Sequence, residues 1–412
     1  QYGTIKSSEN YERRFIMTFP NETLPKGRKQ KTTALYDRFI NQGAVMGDSF
    51  GLENVLWFAK SKEDAYEEPT IKRSRSHNYV SKEVINVREN VGVTEVANFS
   101  KHEFKGSDAR KFLDYVMAGR IPKPGRISLN PMLTQKGKLY GDLTVACIDE
   151  NEFMIFGSGA AQEMHRRWFE SHIGKFNLSY KNRSDDFHGL SISGPKSRDL
   201  LQKIVREDVS NSKLKFRDSR RMYVAGVPAI INRLSFTGEL GYEIYVAPHY
   251  QIKLYEELME AGKEFNIKPF GARALMSMRL EKNWGAWTLD YRPDFTPKEV
   301  GLDVFINWDK DFIGKNSAKK DKSKNKITPL IVETNEIDVT YNEAVMKGDK
   351  SIGYVTSGGF AHFVNKSVAF SYLDTNELNS GKGIQVEING DMFNCSIIKE
   401  PLYDPSGQKM RS

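Results

Sequence analysis

Residues 139–158, LYGDLTVACIDENEFMIFGS, hold two apolar runs separated by an acidic segment. The first run alternates with a period of two, the second is continuously apolar, and Asp149–Asn151 between them is typical of a turn. In the first run, Asp142 and Thr144 share one face, opposite the apolar side chains between and after them. The stretch therefore predicts a pair of β-strands joined by a short turn.

Two carboxylates stand out in predicted strands. An acidic residue early in an apolar strand, such as Asp142, is unfavourable unless it is solvated, hydrogen-bonded or functional. Residues 236–246, FTGELGYEIYV, place two glycines within four residues, which indicates a tight turn entering a strand. Glu243 and Tyr245 would then share one face. Spacing alone favours a surface or turn position for Asp142 and a solvent-facing position for Glu243.

A third candidate segment is the predicted helix at residues 271–282, GARALMSMRLEK. Its apolar residues follow helical spacing, and we expect Arg279 and Glu281 to pair on the outward side. Arg273 lies in the first turn, where a cation opposes the helix dipole. That small conflict is a hint that Arg273 serves a ligand.

The order of predicted elements indicates an α+β chain that ends in a β domain. Helices and strands alternate through the central part, including a helix at residues 108–119 with Gly119 at its C-terminus. Residues 315–326 contain six Lys and one Asp, and we expect a solvated linker there rather than a nucleic-acid-binding arm. Short strands at turn spacing follow, which is typical of a small β-barrel or sandwich.

Composition excludes several classes of protein. The 412 residues are 39% hydrophobic and 28% charged, which argues against intrinsic disorder. The 61 Lys and Arg exceed the 53 Asp and Glu by eight, which suits an anionic partner. Two cysteines exclude a disulfide framework and favour a reducing, cytoplasmic location. No apolar run approaches the length needed to span a bilayer, so we expect no membrane partner. The first residue, Gln1, suggests a processed or partial chain.

Motifs for common cofactors are weak or missing. The nearest approach to a dinucleotide fingerprint is GSGAAQ at residues 157–162, which lacks the third glycine and predicts a turn into a helix at residues 160–173. His165 and His172 are a heptad apart on that helix, and no metal site is predicted from them. These motifs thus argue against a dinucleotide site and a histidine metal site, and they do not by themselves identify a reaction.

Taken together and in this order, these segments resemble the folate-binding half of dimethylglycine and sarcosine dehydrogenases, within the aminomethyltransferase (glycine-cleavage T protein) superfamily. The resemblance runs from Leu35 to Pro405, and the lead before Trp57 is similar to the dehydrogenase branch. Its marks are LYDRFINQGAVMGDSFGLENVLWFA, VRENVGVTEVANFSKHEFKG, GKLYGDLTV, LSFTGELGYEIY, FGARALMSMRLEKNWGAW and TPKEVGLDVFI.

The resemblance implies a cloverleaf of three subdomains around a central folate channel, with a C-terminal β-barrel. We expect a lead segment at residues 1–60, a folate-binding body of two α/β subdomains at 61–314, and the barrel domain at 315–412.

The resemblance also assigns roles to individual residues. Asp142 matches the catalytic carboxylate, and Thr144 matches a nearby folate contact. Glu243 matches the carboxylate that holds the pterin, because a carboxylate can accept from a ring N–H and an adjacent amine together. Arg273 matches an arginine of the folate site. Phe236 is a further cofactor-binding candidate. It replaces a Tyr that is common in the family, so any hydrogen bond of that hydroxyl is lost and the ring could only pack or stack.

The implied reaction is tetrahydrofolate-dependent demethylation of dimethylglycine or sarcosine, as in glycine betaine catabolism. A flavin domain oxidises the N-methyl amine to an iminium, and the one-carbon unit is captured as 5,10-methylene-tetrahydrofolate. This sequence has no flavin fingerprint, so FAD is expected on a separate or missing N-terminal domain, which would be the partner. Eukaryotic relatives would work in the mitochondrial matrix. The alternatives are an aminomethyltransferase that uses a lipoyl carrier protein and a non-catalytic folate-binding module. We expect no nucleic-acid partner.

Overall fold

A computed structural model describes residues 1–16, 18–379 and 383–412 of the chain. Its α-helices are α1 (Tyr2–Glu12), α2 (Tyr36–Asn41), α3 (Ser76–Glu89), α4 (Ala109–Val116), α5 (Gln162–Ile173), α6 (Ser197–Ile204), α7 (Gln251–Ala261), α8 (Ala272–Glu281), α9 (Lys315–Lys319) and α10 (Gln408–Arg411). Its strands are β1 (Ala44–Ser49), β2 (Leu52–Phe58), β3 (Val91–Glu95), β4 (Phe99–Lys105), β5 (Arg126–Leu133), β6 (Leu139–Asp149), β7 (Glu152–Ser158), β8 (Ser179–Asn182), β9 (His188–Ser193), β10 (Ser219–Val224), β11 (Val227–Asn232), β12 (Gly241–Val246), β13 (Ile267–Pro269), β14 (Asn325–Val332), β15 (Ala344–Lys347), β16 (Lys350–Ala361), β17 (Lys366–Asp374), β18 (Ile384–Ile388) and β19 (Asp391–Ile397).

The first large sheet has six strands in the order β10-β11-β12-β9-β3-β13. Neighbouring strands are antiparallel except β13, which pairs in parallel with β3. On one face, apolar side chains from α2, α6 and α7 pack onto the sheet; Leu201, Leu254 and Ile244 are fully buried there. Burial of side chains of this size contributes about 1.5–3 kcal/mol each. Helices therefore cover one face, and the other face is left for a second layer.

The second sheet has five strands in the order β5-β6-β7-β4-β8. Helices α4 and α5 pack on one of its faces, where Leu143, Val145 and Cys147 of β6 are buried with Phe112 and Phe169. The period-two pattern predicted for this strand is confirmed. Because these side chains point to the helices, the alternate side chains of β6 point to the opposite face.

The two uncovered faces meet each other. Ala146 and Phe156 of the five-stranded sheet belong to one buried cluster with Ile230 and Tyr245 of the six-stranded sheet. The rings of Phe156 and Tyr245 are stacked, with centroids 4.6 Å apart and planes inclined by 28°. Backbone hydrogen bonds join the sheets at one edge, among them Ser219 N–H to the carbonyl of Gly125 at 2.9 Å. The space between the sheets is therefore an internal interface rather than a solvent face.

The C-terminal strands form a closed barrel in the order β14-β17-β16-β15-β18-β19. Its interior is lined by aliphatic side chains such as Leu330, Val355 and Val386, all fully buried. The α+β prediction with a C-terminal β-barrel is confirmed, and the sandwich alternative is wrong. Our domain boundaries at residues 60 and 314 stay predictions. Among the described residues, no helix has the length and apolar character needed to cross a membrane.

Two local predictions differ from the structure. The helix predicted at residues 108–119 ends at Val116, and Met117 is already extended (φ −100°, ψ 140°) and bridges to Met132. Gly119 is therefore no helix cap; a Cβ there would lie 2.4 Å from the amide oxygen of Asn130. In the lysine-rich segment predicted as a linker, the first five residues form α9.

The outward pairing predicted for Arg279 and Glu281 is wrong. Arg279 is 1% exposed and donates to Asp290 at 2.7 Å, whereas fully buried Glu281 accepts from Arg88 at 2.6 Å. Both side chains are enclosed because α8 lies between α3 and β2 on one side and β16 on the other. Buried charges need a partner, and each residue has found a separate one.

Candidate functional site

The five-stranded sheet contributes one wall of the candidate site. Cross-strand pairing sets Thr144 of β6 opposite Phe156 of β7, and Phe156 opposite Lys101 of β4. Directly paired residues in antiparallel strands point to the same face, so this row faces the six-stranded sheet. Asp142 is two residues before Thr144 and shares that face. The two predicted residues of β6 thus point into the interface between the sheets.

The six-stranded sheet contributes the opposite wall. Register places Asn232 of β11, Glu243 of β12, Ser191 of β9 and Thr94 of β3 in one row across four strands. All four are buried, at 0–9% exposure. Such a row costs free energy unless its polar groups are paired, so its presence in a sheet face indicates a binding surface. The next row holds Tyr245, which stacks on Phe156 and closes the interface.

Glu243 is held in a fixed position by its strand neighbour. It is 6% exposed, and the hydroxyl of Tyr245 donates to its Oε2 atom at 2.8 Å. Burial raises the pKa of Glu243 to about 7, while the hydroxyl and the charge of Lys101 act in the lowering direction. The solvent-facing alternative for Glu243 is therefore wrong. A buried carboxylate with one free oxygen is suited to accept from a ligand N–H.

Asp142 is less constrained. It is partly exposed, and in the described ranges no side chain donates a hydrogen bond to its carboxyl group. Burial raises the pKa of Asp142 to about 7, against a smaller lowering by its own backbone N–H. The Asp142 charge in turn contributes to a raised pKa of Tyr291. A carboxyl group that titrates near neutral pH can both take and release a proton.

The segment that follows α8 links the two walls. The ring of Phe236, before β12, stacks against Trp284, with centroids 5.7 Å apart and planes inclined by 28°. Further along, Tyr291 is close enough to Asp142 for the charge of that carboxylate to raise its pKa. Phe236 is half-buried and serves as packing, as expected for a ring without the hydroxyl.

Asp290 fixes this segment to the barrel. Its carboxylate is fully buried and accepts from Arg279 at 2.7 Å, from Thr356 at 2.5 Å and from Ser357 at 2.7 Å. It also accepts from the backbone N–H of Ala286 at 3.0 Å. Four donors compensate the buried charge of Asp290, so this carboxylate has a structural role and is not available for proton transfer.

The turn before β12 is anchored in a comparable way. Glu239 accepts from Arg88 at 3.0 Å and from the hydroxyl of Tyr403, and Arg88 also donates to the carbonyl of Thr237 at 2.7 Å. Glu281 completes the charge balance of Arg88. Gly238 in this turn has a φ of 83°, in the left-handed region that glycine adopts without steric cost. The network therefore fixes the start of the strand that carries Glu243.

Arg273 bonds to residues other than the four predicted site residues. Its guanidinium forms an ion pair with Glu67 at 3.0 Å and donates to Ser76 at 2.7 Å and to the carbonyl of Asn21. Within the part of the chain that the structure describes, no hydrogen bond or ion pair joins it to Asp142 or Glu243. The charge that conflicts with the helix dipole is compensated by Glu67 instead. The folate role of Arg273 stays a prediction.

Sequence reasoning missed several residues of the site. Lys101, Asn232 and Tyr291 each face the interface or its rim, but none belongs to a short motif. A signal existed for Lys101, since a lysine within the strand-like run NFSKHEF is unusual for a buried strand. The residues described here contain no group of three or more His, Cys, Asp or Glu placed to hold a metal ion.

Comparison with known proteins gives a consistent result. The GCVT N-terminal domain model matches residues 35–310, and the glycine cleavage T-protein C-terminal barrel domain model matches residues 326–404. Human mitochondrial dimethylglycine dehydrogenase is 34% identical over 411 residues, which is 98% of this chain and 47% of that protein. The chain thus spans about half the length of the dehydrogenases that it matches.

Shorter relatives match along their full length. An aminomethyltransferase of Desulfitobacterium hafniense (strain Y51) is 28% identical over 382 residues, covering 92% of this chain and 99% of that protein. The structure of glycine cleavage system aminomethyltransferase T from Bartonella henselae superposes with a TM-score of 0.79 at 21% identity, covering 91% of this chain and 99% of that chain. The last result shows the shared fold. By its two domain matches, the chain belongs to the glycine-cleavage T-protein family.

Proposed function

We propose that the chain binds a reduced folate between its two sheets and transfers to it a one-carbon unit from an N-methyl amine. The observation that carries the proposal is the pair of carboxylates Asp142 and Glu243. They lie on facing sheets, and burial raises the pKa of each to about 7. Perturbed carboxylates of this kind cluster at functional sites.

The residues of the interface fit a pterin. Glu243 can offer both carboxylate oxygens to adjacent N–H groups, because Oε2 keeps a second lone pair beside its bond to Tyr245. A pterin edge can match this bidentate arrangement. Beside it, the amide nitrogen of Asn232 is buried and has no hydrogen-bond partner among the described residues. A ligand that carries both donors and an acceptor would satisfy the two side chains together. Thr144, on the opposite wall, would add a hydroxyl contact.

Asp142 supplies the acid–base function in this proposal. A reduced folate, when bound, would supply the nitrogen atoms that accept the one-carbon unit. Asp142 would accept a proton there and, in its ionised form, favour cationic species nearby. General acid–base catalysis by a positioned carboxylate contributes about 10²–10⁴-fold to the rate.

We propose dimethylglycine or sarcosine as the amine and an FAD-dependent dehydrogenase domain or subunit as the partner that oxidises it. The match to dimethylglycine dehydrogenase supports this, because it covers 98% of the chain and so includes most of residues 1–34, which the family model leaves out. We place the reaction in the cytoplasm, or in the mitochondrial matrix in a eukaryote; the human dimethylglycine dehydrogenase is named as mitochondrial.

A second candidate is an aminomethyltransferase that takes its one-carbon unit from a lipoyl carrier protein. It is favoured by the match to an aminomethyltransferase over 99% of the length of that protein. Ammonia release that depends on a lipoyl protein would support this candidate. One-carbon transfer that depends on a flavoprotein and dimethylglycine would support the first.

Calorimetric titration with tetrahydrofolate tests the folate site itself. We expect the wild type to bind, and Glu243→Gln to weaken binding by about 1–3 kcal/mol, because a pterin N–H is left without its charged acceptor. The matched control is Glu343→Gln: burial also raises the pKa of Glu343 to about 7, but this residue precedes β15 of the barrel. Absence of binding by the wild type would contradict the proposal.

A further inference from the structure

Lys101 of β4 is a buried lysine for which the proposed chemistry has not yet given a use. It is fully buried, and its ammonium donates to the carbonyls of Ala97 at 2.9 Å and Phe99 at 2.7 Å. In the described residues, no carboxylate lies within ion-pair distance of it. Two carbonyls fix the position of the ammonium without neutralising it. Burial lowers the pKa of Lys101 to about 7, and the charges of Asp185, Glu95 and Glu243 act in the raising direction.

The surroundings of Lys101 are rich in carboxylates. Its row partner Phe156 stacks on Tyr245, and the Lys101 ammonium lies 5.8 Å from the centre of the Tyr245 ring. Tyr245 in turn donates to Glu243. The titratable groups that face Lys101 are Glu95 at the end of β3, Asp185 before β9, Glu243 and Tyr245 of β12, and His188 of β9. His102, the next residue of β4, points to the opposite face, toward Phe169.

The other carboxylates near Lys101 already have partners of their own. Glu95 accepts from the amide of Gln251, and Asp185 is surface-exposed and pairs with Lys31 at 3.2 Å. Glu243 has only the hydroxyl of Tyr245 as a recorded donor in the part of the chain described. Of these three carboxylates, Glu243 is therefore the one without an amide or cationic partner in the described residues, and the charges of Lys101 and Glu243 each favour the ionised form of the other.

We propose that Lys101 is a positioning residue that keeps Glu243 in its negatively charged, ligand-accepting form across the interface between the two sheets. The inference rests on the folate function proposed above. An opposite charge favours the ionised form of a buried carboxyl group, and in the low dielectric of the interface the effect extends beyond direct contact. The interaction with Lys101 indeed acts to lower the pKa of Glu243 against the effect of burial.

The test is a carboxyl-carbon NMR titration of Glu243 in the ligand-free chain, assigned with Glu243→Gln. In Lys101→Met, we expect the titration midpoint of Glu243 to rise by about one pH unit. The matched control is Lys310→Met, because Lys310 is also held by two backbone carbonyls, at 2.7 Å each. Lys310 belongs to the loop before α9 and in addition pairs with Asp114 at 3.3 Å. Lys101→Gln keeps an N–H donor for the two carbonyls if the methionine variant fails to fold.

Folate titrations at several pH values provide the second measurement. In Lys101→Met, tetrahydrofolate affinity should fall about tenfold near neutral pH and recover toward the wild-type value at higher pH. A purely structural role would lower the affinity equally at every pH, and that result, or an unchanged Glu243 midpoint, would overturn the inference. If the Glu243 midpoint shifts while the wild type binds no folate, the proposed function is wrong and the pairing of Lys101 with Glu243 stands.

Discussion

The two carboxylates of the interface have similar titration ranges and different surroundings. Glu243 on β12 is 6% exposed, receives a hydrogen bond from Tyr245 and faces the ammonium of Lys101. Asp142 on β6 is more accessible and has no side-chain donor in the described residues. A carboxylate that is already oriented is suited to hold a ligand, and one that is free to gain and lose a proton is suited to chemistry. The comparison therefore assigns ligand binding to Glu243 and proton transfer to Asp142, and substitutions at the two sites should have different effects.

The largest effect is expected from Asp142→Asn. It should lower the rate of methylene-tetrahydrofolate formation by about 10²–10⁴-fold, because the amide cannot accept a proton. Tetrahydrofolate affinity should change little, since Glu243 remains in place. The rate is measured with dimethylglycine and a flavoprotein dimethylglycine dehydrogenase added in trans, and the affinity by calorimetry. An unchanged rate would favour the alternative of a non-catalytic folate-binding module.

The second-largest effect is expected on the pH dependence of the free energy of unfolding. Burial raises the pKa of Asp142 from 3.8 to about 7 and that of Glu243 from 4.5 to about 7. The folded chain therefore keeps these protons to higher pH than the unfolded chain, so the free energy of unfolding falls as pH rises through this window. Asp142→Asn or Glu243→Gln should thus stabilise the ligand-free chain by about 1–3 kcal/mol at pH 8, with a smaller gain at pH 5.

Urea unfolding at both pH values measures this difference. Glu207→Gln, at an exposed position, is the control and should show no gain that depends on pH. Equal stability of wild type and both variants at pH 8 would contradict the view that the buried, ionised carboxylates destabilise the folded chain. Functional sites often retain destabilising groups in this way.

How much of the fold and of the candidate site could be predicted from the sequence varies along the chain. Strand period and turn residues sufficed for β6, β7 and β12, because each strand has one apolar face that must be buried. Resemblance was needed to pair Asp142 with Glu243, since their strands belong to different sheets. Neither the strand pattern nor the family resemblance predicted that Lys101 and Asn232 belong to the site, because cross-strand register decides which residues lie next to them. The outward pairing expected for Arg279 and Glu281 failed for the same reason: the barrel strand that covers α8 is distant in sequence.

The smallest effect on tetrahydrofolate binding is expected from Tyr245→Phe. This variant tests the difference between Glu243 and Asp142 most directly. This change removes the 2.8 Å hydrogen bond to Glu243 and leaves a carboxylate without a side-chain donor, as at Asp142. The loss of one hydrogen bond to a charged acceptor should weaken tetrahydrofolate binding by about 1–2 kcal/mol. The midpoint of Glu243 should also rise, because the hydroxyl acts to lower its pKa.

Tyr242→Phe is the matched control for this variant, because Tyr242 is on the same strand but packs on the opposite face, in the core beneath α6 and α7. It should leave both the affinity and the Glu243 midpoint unchanged. If Tyr245→Phe also leaves both unchanged, orientation by the hydroxyl does not distinguish Glu243 from Asp142, and the charge of Lys101 alone must account for the difference between the two carboxylates.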